Sequence, residues 1–179
     1  FPTRRSSDLF LPHLSHAEGK RPNILWIIAE DACRDFGCYG MEGARTPNID
    51  RLASESCLYR HAFATGPVCS TSRSAFMTGL YQTRIGAQNH RSHRSREFTR
   101  PSGVRLITER LREAGYFTSN IRALPPELGF SGAGKTDWNF FDNGKAFDSA
   151  KWSDLKTHQP FYAQVNLHET HRPYYRAAK

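Results

Sequence analysis

The stretch NILWIIAED, residues 23–31, combines an unbroken apolar run with a pair of carboxylates. The segment Asn23–Ala29, whose last six residues are apolar, contains three isoleucines and lies between Pro22 and Glu30, which is typical of a buried parallel strand. In open α/β sheets, ligands bind just beyond the carboxyl ends of the strands. Glu30 and Asp31 are therefore candidate oxygen ligands for Ca²⁺ or Mg²⁺. A solvated acidic pair on a surface loop is the alternative interpretation.

Helical and strand patterns alternate along the rest of the chain. Thr46 and Pro47 supply an N-cap and a first-turn proline for one helix, and Gly115 ends another. The patterns predict helices over residues 46–56 and 104–114, and strands over residues 58–63, 116–121 and 161–167. This alternation predicts an α/β fold, in which a mostly parallel sheet is flanked by helices.

The stretch PVCSTSRSAFMTG, residues 67–79, predicts a turn that enters a short helix. Ser70, Thr71 and Ser72 offer N-cap oxygens, which places Cys69 near the start of the helix. The free N–H groups and the dipole at a helix N-terminus favour a bound anion. The alternative is that Cys69 is a small buried apolar side chain.

Composition and charge restrict the class of protein. The chain has 179 residues, of which 38% are hydrophobic and 23% charged, and these values are typical of one globular core. Its net charge of +8 favours a polyanionic partner, either nucleic acid or an acidic polysaccharide. No helix-turn-helix pattern or aromatic platform supports nucleic acid. The longest apolar run, Ile24–Ala29, is too short to span a membrane.

The N-terminal residues are interpreted separately from the fold. Residues 1–9, FPTRRSSDL, match the translation of a sequencing adapter and are excluded, which lowers the net charge to +7 because two arginines and one aspartate leave. Residues 10–20 are a signal-peptide remnant or a linker, and residues 21–179 form the domain. The four cysteines, Cys33, Cys38, Cys57 and Cys69, lack zinc-site spacing, which leaves structural thiols or one disulfide.

Further polar side chains follow the later strands and loops. Residues 89–100 are strongly basic and are either a solvated loop or an arm that faces a substrate. Lys135 and Asp137 follow a loop rich in proline and glycine, and His171 follows the last strand. Cations beside a metal site can stabilise a tetrahedral anion. The polar groups at these strand ends therefore predict a site for such an anion.

Several of these stretches together resemble the type I sulfatases. That family's signature is Cys-x-Pro-x-Arg followed by a hydrophobic pair and Thr-Gly, and here CSTSR begins at Cys69 and FMTG ends at Gly79. RPNILWIIAED, TPNIDRLASES, AGYFTSN, GKTDWNF and FYAQVNLHETHRPY resemble further motifs of the family in the same order. The resemblance runs from Arg21 to Tyr174 and implies the alkaline-phosphatase-like fold.

The resemblance implies a nucleophile and a metal site. In the family, a maturation enzyme oxidises the motif cysteine, here Cys69, to formylglycine, and the hydrated aldehyde attacks sulfur and later releases sulfate. Arg73 would hold the diol oxygens. Glu30 and Asp31, together with the modified Cys69, would bind Ca²⁺, with Mg²⁺ as the alternative.

It also implies the groups that handle sulfate and the leaving group. Lys135 would stabilise the sulfate charge, and His171 would bind sulfate or assist the leaving group. Asp137 stands where many members have histidine, so an acid/base role would pass to its carboxylate. Two further departures are Thr71 in place of the family's proline and Glu30 in place of its first aspartate.

The resemblance implies a periplasmic or secreted hydrolase acting on a sulfated sugar or polysaccharide, nearest the N-sulfoglucosamine and glycosaminoglycan branch. Other metal ligands and a second lysine lie in a later half of the family domain, so we expect residues 21–179 to be an incomplete, inactive N-terminal part. Two alternatives remain open. They are a phosphoryl-ester hydrolase of the same superfamily and a non-catalytic polyanion-binding paralogue.

Overall fold

A three-stranded parallel sheet forms the centre of the fold. The computed structural model describes residues 21–92, 95–122, 133–167 and 170–171. Strands β1 (Ile24–Ala29), β2 (Phe117–Ile121) and β3 (Phe161–Leu167) are ordered β1-β3-β2. Ile24 pairs with Tyr162, and Phe117 pairs with Phe161, both in parallel register. All three predicted strands that form this sheet are confirmed, and their carboxyl ends share one edge.

Four α-helices accompany these strands within the described residues. They are α1 (Pro47–Ser54), α2 (Cys69–Thr78), α3 (Ile107–Glu113) and α4 (Trp152–Thr157), with 3₁₀ turns at Gly37–Tyr39 and Gln82–Ile85. The α/β class is confirmed. The sequence reading missed α4, whose six residues are too few to show a helical period.

Two apolar clusters hold these elements together. In one, Leu155 of α4 packs on Ile121, Ala163 and Val165 of the sheet. In the other, Met77 of α2 and Leu106 at the start of α3 meet Trp138 and Phe140. The second cluster fixes α2 against the segment that follows Lys135. Two predicted site segments are thereby packed side by side.

Three local predictions are wrong. Residues 58–63 form an irregular segment, because Tyr59 and Phe63 are 69% and 86% exposed and have no sheet to pack on. The helix after the cysteine turn begins at Cys69 itself, so its hydroxyls are not N-caps; Thr71 Oγ1 donates to the Val68 carbonyl at 2.7 Å. The helix predicted from residue 104 begins at Ile107, because Leu106 is an extended N-cap residue.

β1 is parallel as predicted, but it is not buried. Leu25 and Ile27 are 50% and 55% exposed, and within the described residues β1 pairs only with β3. Trp26 makes an edge-to-face contact with Phe76 of α2, with ring centroids 4.8 Å apart. The apolar run therefore specifies a strand, while burial of its faces depends on what packs against them.

The remaining global predictions have mixed outcomes. All four cysteines are free thiols, so the predicted alternative of a disulfide is not formed. Among the described residues, no helix is long and apolar enough to cross a bilayer. Residues 1–9, residues 10–20 and most of the loop rich in proline and glycine lie outside the described residues, so the predictions made for them stay predictions.

Candidate active site

Cys69 is the first residue of α2, at the edge of the sheet where β1 ends. It is half-buried, and its Sγ lies within 4.8 Å of a carboxylate oxygen of Glu30, which follows β1 directly. The backbone N–H groups of the first helical turn are oriented along the helix axis and favour negative charge near Cys69. The predicted placement of Cys69 at a helix N-terminus is thereby confirmed.

Glu30 is a buried carboxylate between two cations. Its Oε1 accepts a hydrogen bond from Lys135 Nζ at 2.6 Å and lies 3.4 Å from Arg73 Nη2. Burial alone would raise the pKa of Glu30, but the Lys135 ammonium and the Arg73 guanidinium outweigh it and lower that pKa. Glu30 is therefore held as an anion at the centre of the site.

Arg73 is buried one turn into α2 and is held from the sheet. Its Nη1 donates to Asn166 Oδ1 of β3 at 2.8 Å, and Asn166 Nδ2 donates to Asn120 Oδ1 of β2 at 2.8 Å. Asn120 Nδ2 donates in turn to the Lys135 carbonyl at 3.3 Å. These two buried amides connect α2, both strands and the Lys135 segment, so they fix the two cations relative to each other.

Two further predicted site residues, Asp31 and His171, lie at the same cluster, and His171 rather than Asp31 joins the group of possible metal ligands. His171 Nε2 lies 3.4 Å from Lys135 Nζ and 3.9 Å from Asp31 Oδ2. Asp31 has a φ of 58°, in the left-handed region, which turns the chain sharply after β1. Ligand atoms of Glu30, Cys69 and His171 all lie within 4.8 Å of one another. The structure thus brings a carboxylate, a thiol and an imidazole to a single point.

The donor set fits a divalent cation. Glu30 and Asp31 offer hard carboxylate oxygens, which Ca²⁺ and Mg²⁺ prefer, and oxidation of Cys69 would replace its soft thiol by oxygen. Ca²⁺ takes about six to eight oxygens, so these three residues would supply only part of its shell. The prediction of an incomplete metal site stays a prediction.

Asp137 lies beside Lys135 in a buried position. Its Oδ2 is 3.8 Å from Lys135 Nζ and accepts hydrogen bonds from Arg91 Nε at 3.3 Å and Nη2 at 3.0 Å. Arg91 belongs to the basic segment of residues 89–100. That segment therefore contacts the site at Arg91, so of the two predicted alternatives a wholly solvated loop is wrong, and the arm that faces a substrate stays a prediction.

The structure brings all the sequence-predicted site residues to one place; these are Glu30, Asp31, Cys69, Arg73, Lys135, Asp137 and His171. Sequence reasoning missed Asn120, Asn166 and Arg91. Asparagines inside a buried strand carry a usable signal, because an amide is seldom buried without a polar partner. Arg91 has no comparable signal within its run of arginines.

Comparison with protein-family models shows where this chain belongs. The Sulfatase model matches residues 22–179, which is most of the sequence. The chain is therefore a member of the sulfatase family. The family generally uses formylglycine and a divalent metal, and the resemblance inferred from the sequence is confirmed.

Curated relatives and a solved structure agree with this family. An ulvan-active sulfatase of Formosa agariphila is 34% identical over 164 residues, covering 85% of this chain and 26% of the relative. Human steryl-sulfatase is 41% identical over 131 residues, which is 69% of this chain and 22% of that protein. Human N-acetylgalactosamine-6-sulfatase is 35% identical over 108 residues, which is 56% of this chain and 21% of that protein. The chain thus spans about a quarter of these relatives' length.

The solved structure of BT4656 in complex with its substrate D-glucosamine-2-N,6-O-disulfate has a similar fold. Its TM-score is 0.61 at 19% identity, over 86% of this chain and 35% of that one. The likeness confirms the predicted architecture of a mostly parallel sheet with flanking helices.

Proposed function

We propose that this chain is part of a sulfatase that hydrolyses sulfate esters or N-sulfates of a sulfated sugar. One observation carries the proposal: Lys135, 105 residues from Glu30 in sequence, contacts it at the N-terminus of the helix that begins with Cys69. Cys69, the candidate nucleophile, is close to the candidate ligand Glu30, and Glu30 contacts both Arg73 and Lys135. Such a set suits attack on a tetrahedral oxyanion.

The proposed nucleophile is formylglycine made from Cys69 by a maturation enzyme. Its hydrated form would supply one hydroxyl oxygen as the nucleophile toward sulfur, and loss of a proton from the second hydroxyl would re-form the aldehyde as the bond to sulfate breaks. A thiol lacks that second hydroxyl and could not complete the cycle. Thr71, in place of the family's proline, hydrogen-bonds the Val68 carbonyl at 2.7 Å and holds the first turn of α2.

The proposed metal is Ca²⁺, with Mg²⁺ as the alternative. Bound by Glu30, Asp31 and the modified Cys69, it would offset the negative charge of the sulfate. Glu30 keeps its charge through the lowered pKa already described, so a cation would meet an ionised ligand. Asp31 is more exposed and can adjust its carboxylate to the ion.

The protein's own cations would hold the substrate. Arg73, fixed by Asn166 and Glu30, would orient the nucleophilic oxygens at the start of α2. Lys135 would bind a sulfate oxygen, and His171, 3.4 Å from its Nζ, would bind sulfate or give a proton to the leaving oxygen or nitrogen. Preorganised cations of this kind stabilise charge that develops in the transition state.

The substrate class rests on the relatives and on charge. An ulvan-active sulfatase, an N-acetylgalactosamine-6-sulfatase and a protein solved with a disulfated glucosamine support a sulfated sugar, in keeping with the glycosaminoglycan branch. The net charge of +8 favours a polyanionic substrate. We further propose a periplasmic or secreted location, where such polymers are found.

The test is sulfate release by the natural gene product that carries this sequence, co-expressed with a formylglycine-generating enzyme. We expect turnover on sulfated sugars, its loss on chelation of divalent cations, and its recovery with Ca²⁺. Cys69→Ala is the matched control and should abolish turnover while leaving the fold intact. Preferential hydrolysis of phosphate esters, or polyanion binding without any hydrolysis, would contradict the proposal.

A further inference from the structure

Arg91 is the outermost member of a row of alternating charges. The row runs Arg73, Glu30, Lys135, Asp137, Arg91, with neighbouring charged atoms 3.4, 2.6, 3.8 and 3.0 Å apart. Arg91 is 49% exposed, whereas Asp137 beside it is only 4% exposed. A buried carboxylate therefore separates the lysine proposed to bind sulfate from a half-exposed guanidinium.

The backbone of Arg91 is held in place by the site itself. Its φ of 56° lies in the left-handed region, which a residue with a side chain seldom adopts unless its surroundings enforce it. The Arg91 N–H donates to the buried hydroxyl of Ser70, the residue after Cys69, at 2.9 Å. Asn139, two residues after Asp137, donates to the carbonyls of Asn89 and Ala87. The backbone around Arg91 is thus anchored to α2 and to the segment that follows Lys135.

The charges explain why such anchoring is needed. An ionised Asp137 without a partner would draw the Lys135 ammonium toward itself and would repel a bound sulfate. Arg91 places both Nε and Nη2 on Asp137 Oδ2, the oxygen that faces Lys135. Two charge-assisted hydrogen bonds from the guanidinium therefore offset the charge at that oxygen.

We propose that Arg91 is a positioning residue, which neutralises Asp137 so that the Lys135 ammonium remains available to a sulfate oxygen. This inference rests on the proposed function, because it assigns sulfate to Lys135. It gives Asp137 an electrostatic role as the counter-ion that connects the basic segment to the site.

A double-mutant cycle tests the inference, using Arg91→Met, Asp137→Asn and the double variant in the natural gene product. The first measurement is the affinity for inorganic sulfate by calorimetry, with Cys69 left as the thiol so that maturation is not required. Arg91→Met should weaken sulfate binding by at least about tenfold in the parent. In the Asp137→Asn background, where no carboxylate remains to be neutralised, it should change binding by less than about threefold.

Two controls separate this effect from general loss of charge or of structure. Arg96→Met removes an exposed arginine of the same segment, whose guanidinium lies over the Phe141 ring, and should leave sulfate affinity unchanged. Circular dichroism should show that Arg91→Met retains the parent's secondary structure. The loss of sulfate affinity caused by Arg91→Met should depend on the charge of Asp137, and misfolding would not produce such a dependence.

An equal loss in both backgrounds would overturn the inference, because Arg91 would then act on sulfate directly or only through the fold. Absence of sulfate binding by the parent would also overturn it. Failure of the proposed function is seen separately, as an unmodified Cys69 and no turnover on sulfated sugars. The double-mutant cycle can show coupling between Arg91 and Asp137, or none, whether or not the proposed sulfatase function holds.

Discussion

The Lys135 ammonium donates a hydrogen bond of 2.6 Å to Glu30 Oε1, across 105 residues of sequence. The pair links the end of β1 to the loop that follows β2, and a Glu30 carboxylate oxygen lies within 4.8 Å of Cys69 Sγ. Breaking an ion pair of low exposure is costly where the remaining charge has no other partner. Glu30 would keep Arg73 at 3.4 Å if Lys135 were lost, so the contact matters chiefly, under the proposed function, for sulfate binding.

Replacing Lys135 should impair activity far more than stability. Lys135→Met removes the cation proposed to bind sulfate, whereas Glu30 keeps Arg73 at 3.4 Å. We expect kcat/KM to fall about 10²-fold or more. Lys145→Met, which removes an exposed lysine, is the matched control and should retain parental kinetics. Comparable kinetics for the two variants would show that Lys135 does not contact the reacting group.

Asn166 should matter for both stability and activity, although it need not touch substrate. Asn166→Ala removes the acceptor that holds Arg73 Nη1 and the donor to Asn120, both in buried surroundings. We expect a loss of about 1–3 kcal/mol in the free energy of unfolding, measured by denaturant titration. Ser54→Ala, which removes one exposed hydrogen bond, should cost less than about 0.5 kcal/mol. Similar costs for the two would contradict the buried amide relay.

Gly134 should be required because of the space around it. A Cβ at this position would overlap the side-chain amides of Asn120 and Asn166, which contact each other across the sheet. Gly134→Ala should therefore displace the Lys135 backbone, lower the midpoint of thermal unfolding and reduce activity. Gly144→Ala, where the nearest atoms are 3.7 Å away, is the matched control and should be tolerated. A stable, active Gly134→Ala would refute this packing.

Stability should depend on acid through Glu109. The Arg100 guanidinium, donating at 2.7 and 3.0 Å, lowers the pKa of Glu109 below its ordinary value of 4.5. A lowered native pKa gives stabilisation that is fully present above pH 4.5 and is lost as the pH falls through the native pKa. Glu109→Gln should therefore destabilise the protein at neutral pH by about 2 kcal/mol, and this difference should shrink below pH 4.5.

The matched control for Glu109 is Glu113→Gln. Glu113 pairs with Arg105, and both side chains are largely exposed, so solvent screens the interaction. We expect the unfolding curve of Glu113→Gln to match that of the parent at both neutral and acidic pH. A difference between Glu109→Gln and the parent that stayed constant from neutral to acidic pH would show that the Arg100 pair does not stabilise the fold through charge.

Sequence alone was sufficient for the strands and for the residues at their ends. The apolar run of β1 is continuous, whereas β3 also contains Gln164 and Asn166. The polar groups that follow both strands converge because parallel strands share one carboxyl edge. It was not sufficient for residues 58–63, which were predicted to be a strand but form an irregular segment with exposed aromatic side chains. The exposure of Leu25 and Ile27 could not be predicted either, because burial depends on packing that a strand pattern does not encode.

The sequence predicted which residues belong to the site but not how their side chains contact one another. Motif residues identify Cys69, Arg73 and Lys135 one by one, whereas the Asn120–Asn166 relay and the Arg91–Asp137 pair depend on side-chain directions in three dimensions. Arg91 also requires a left-handed backbone set by Ser70. Such a contact between residues 46 positions apart has no local sequence pattern.

The most direct test of the central claim is mass spectrometry of the peptide that contains Cys69, after co-expression of the natural gene product with a formylglycine-generating enzyme. Exchange of the thiol for an aldehyde lowers the peptide mass by about 18 Da, and a hydrazide reagent should then capture the peptide. Our account predicts both results, and neither for Cys69→Ala. A peptide that keeps the full mass of an unmodified cysteine would contradict the claim that Cys69 provides the nucleophile.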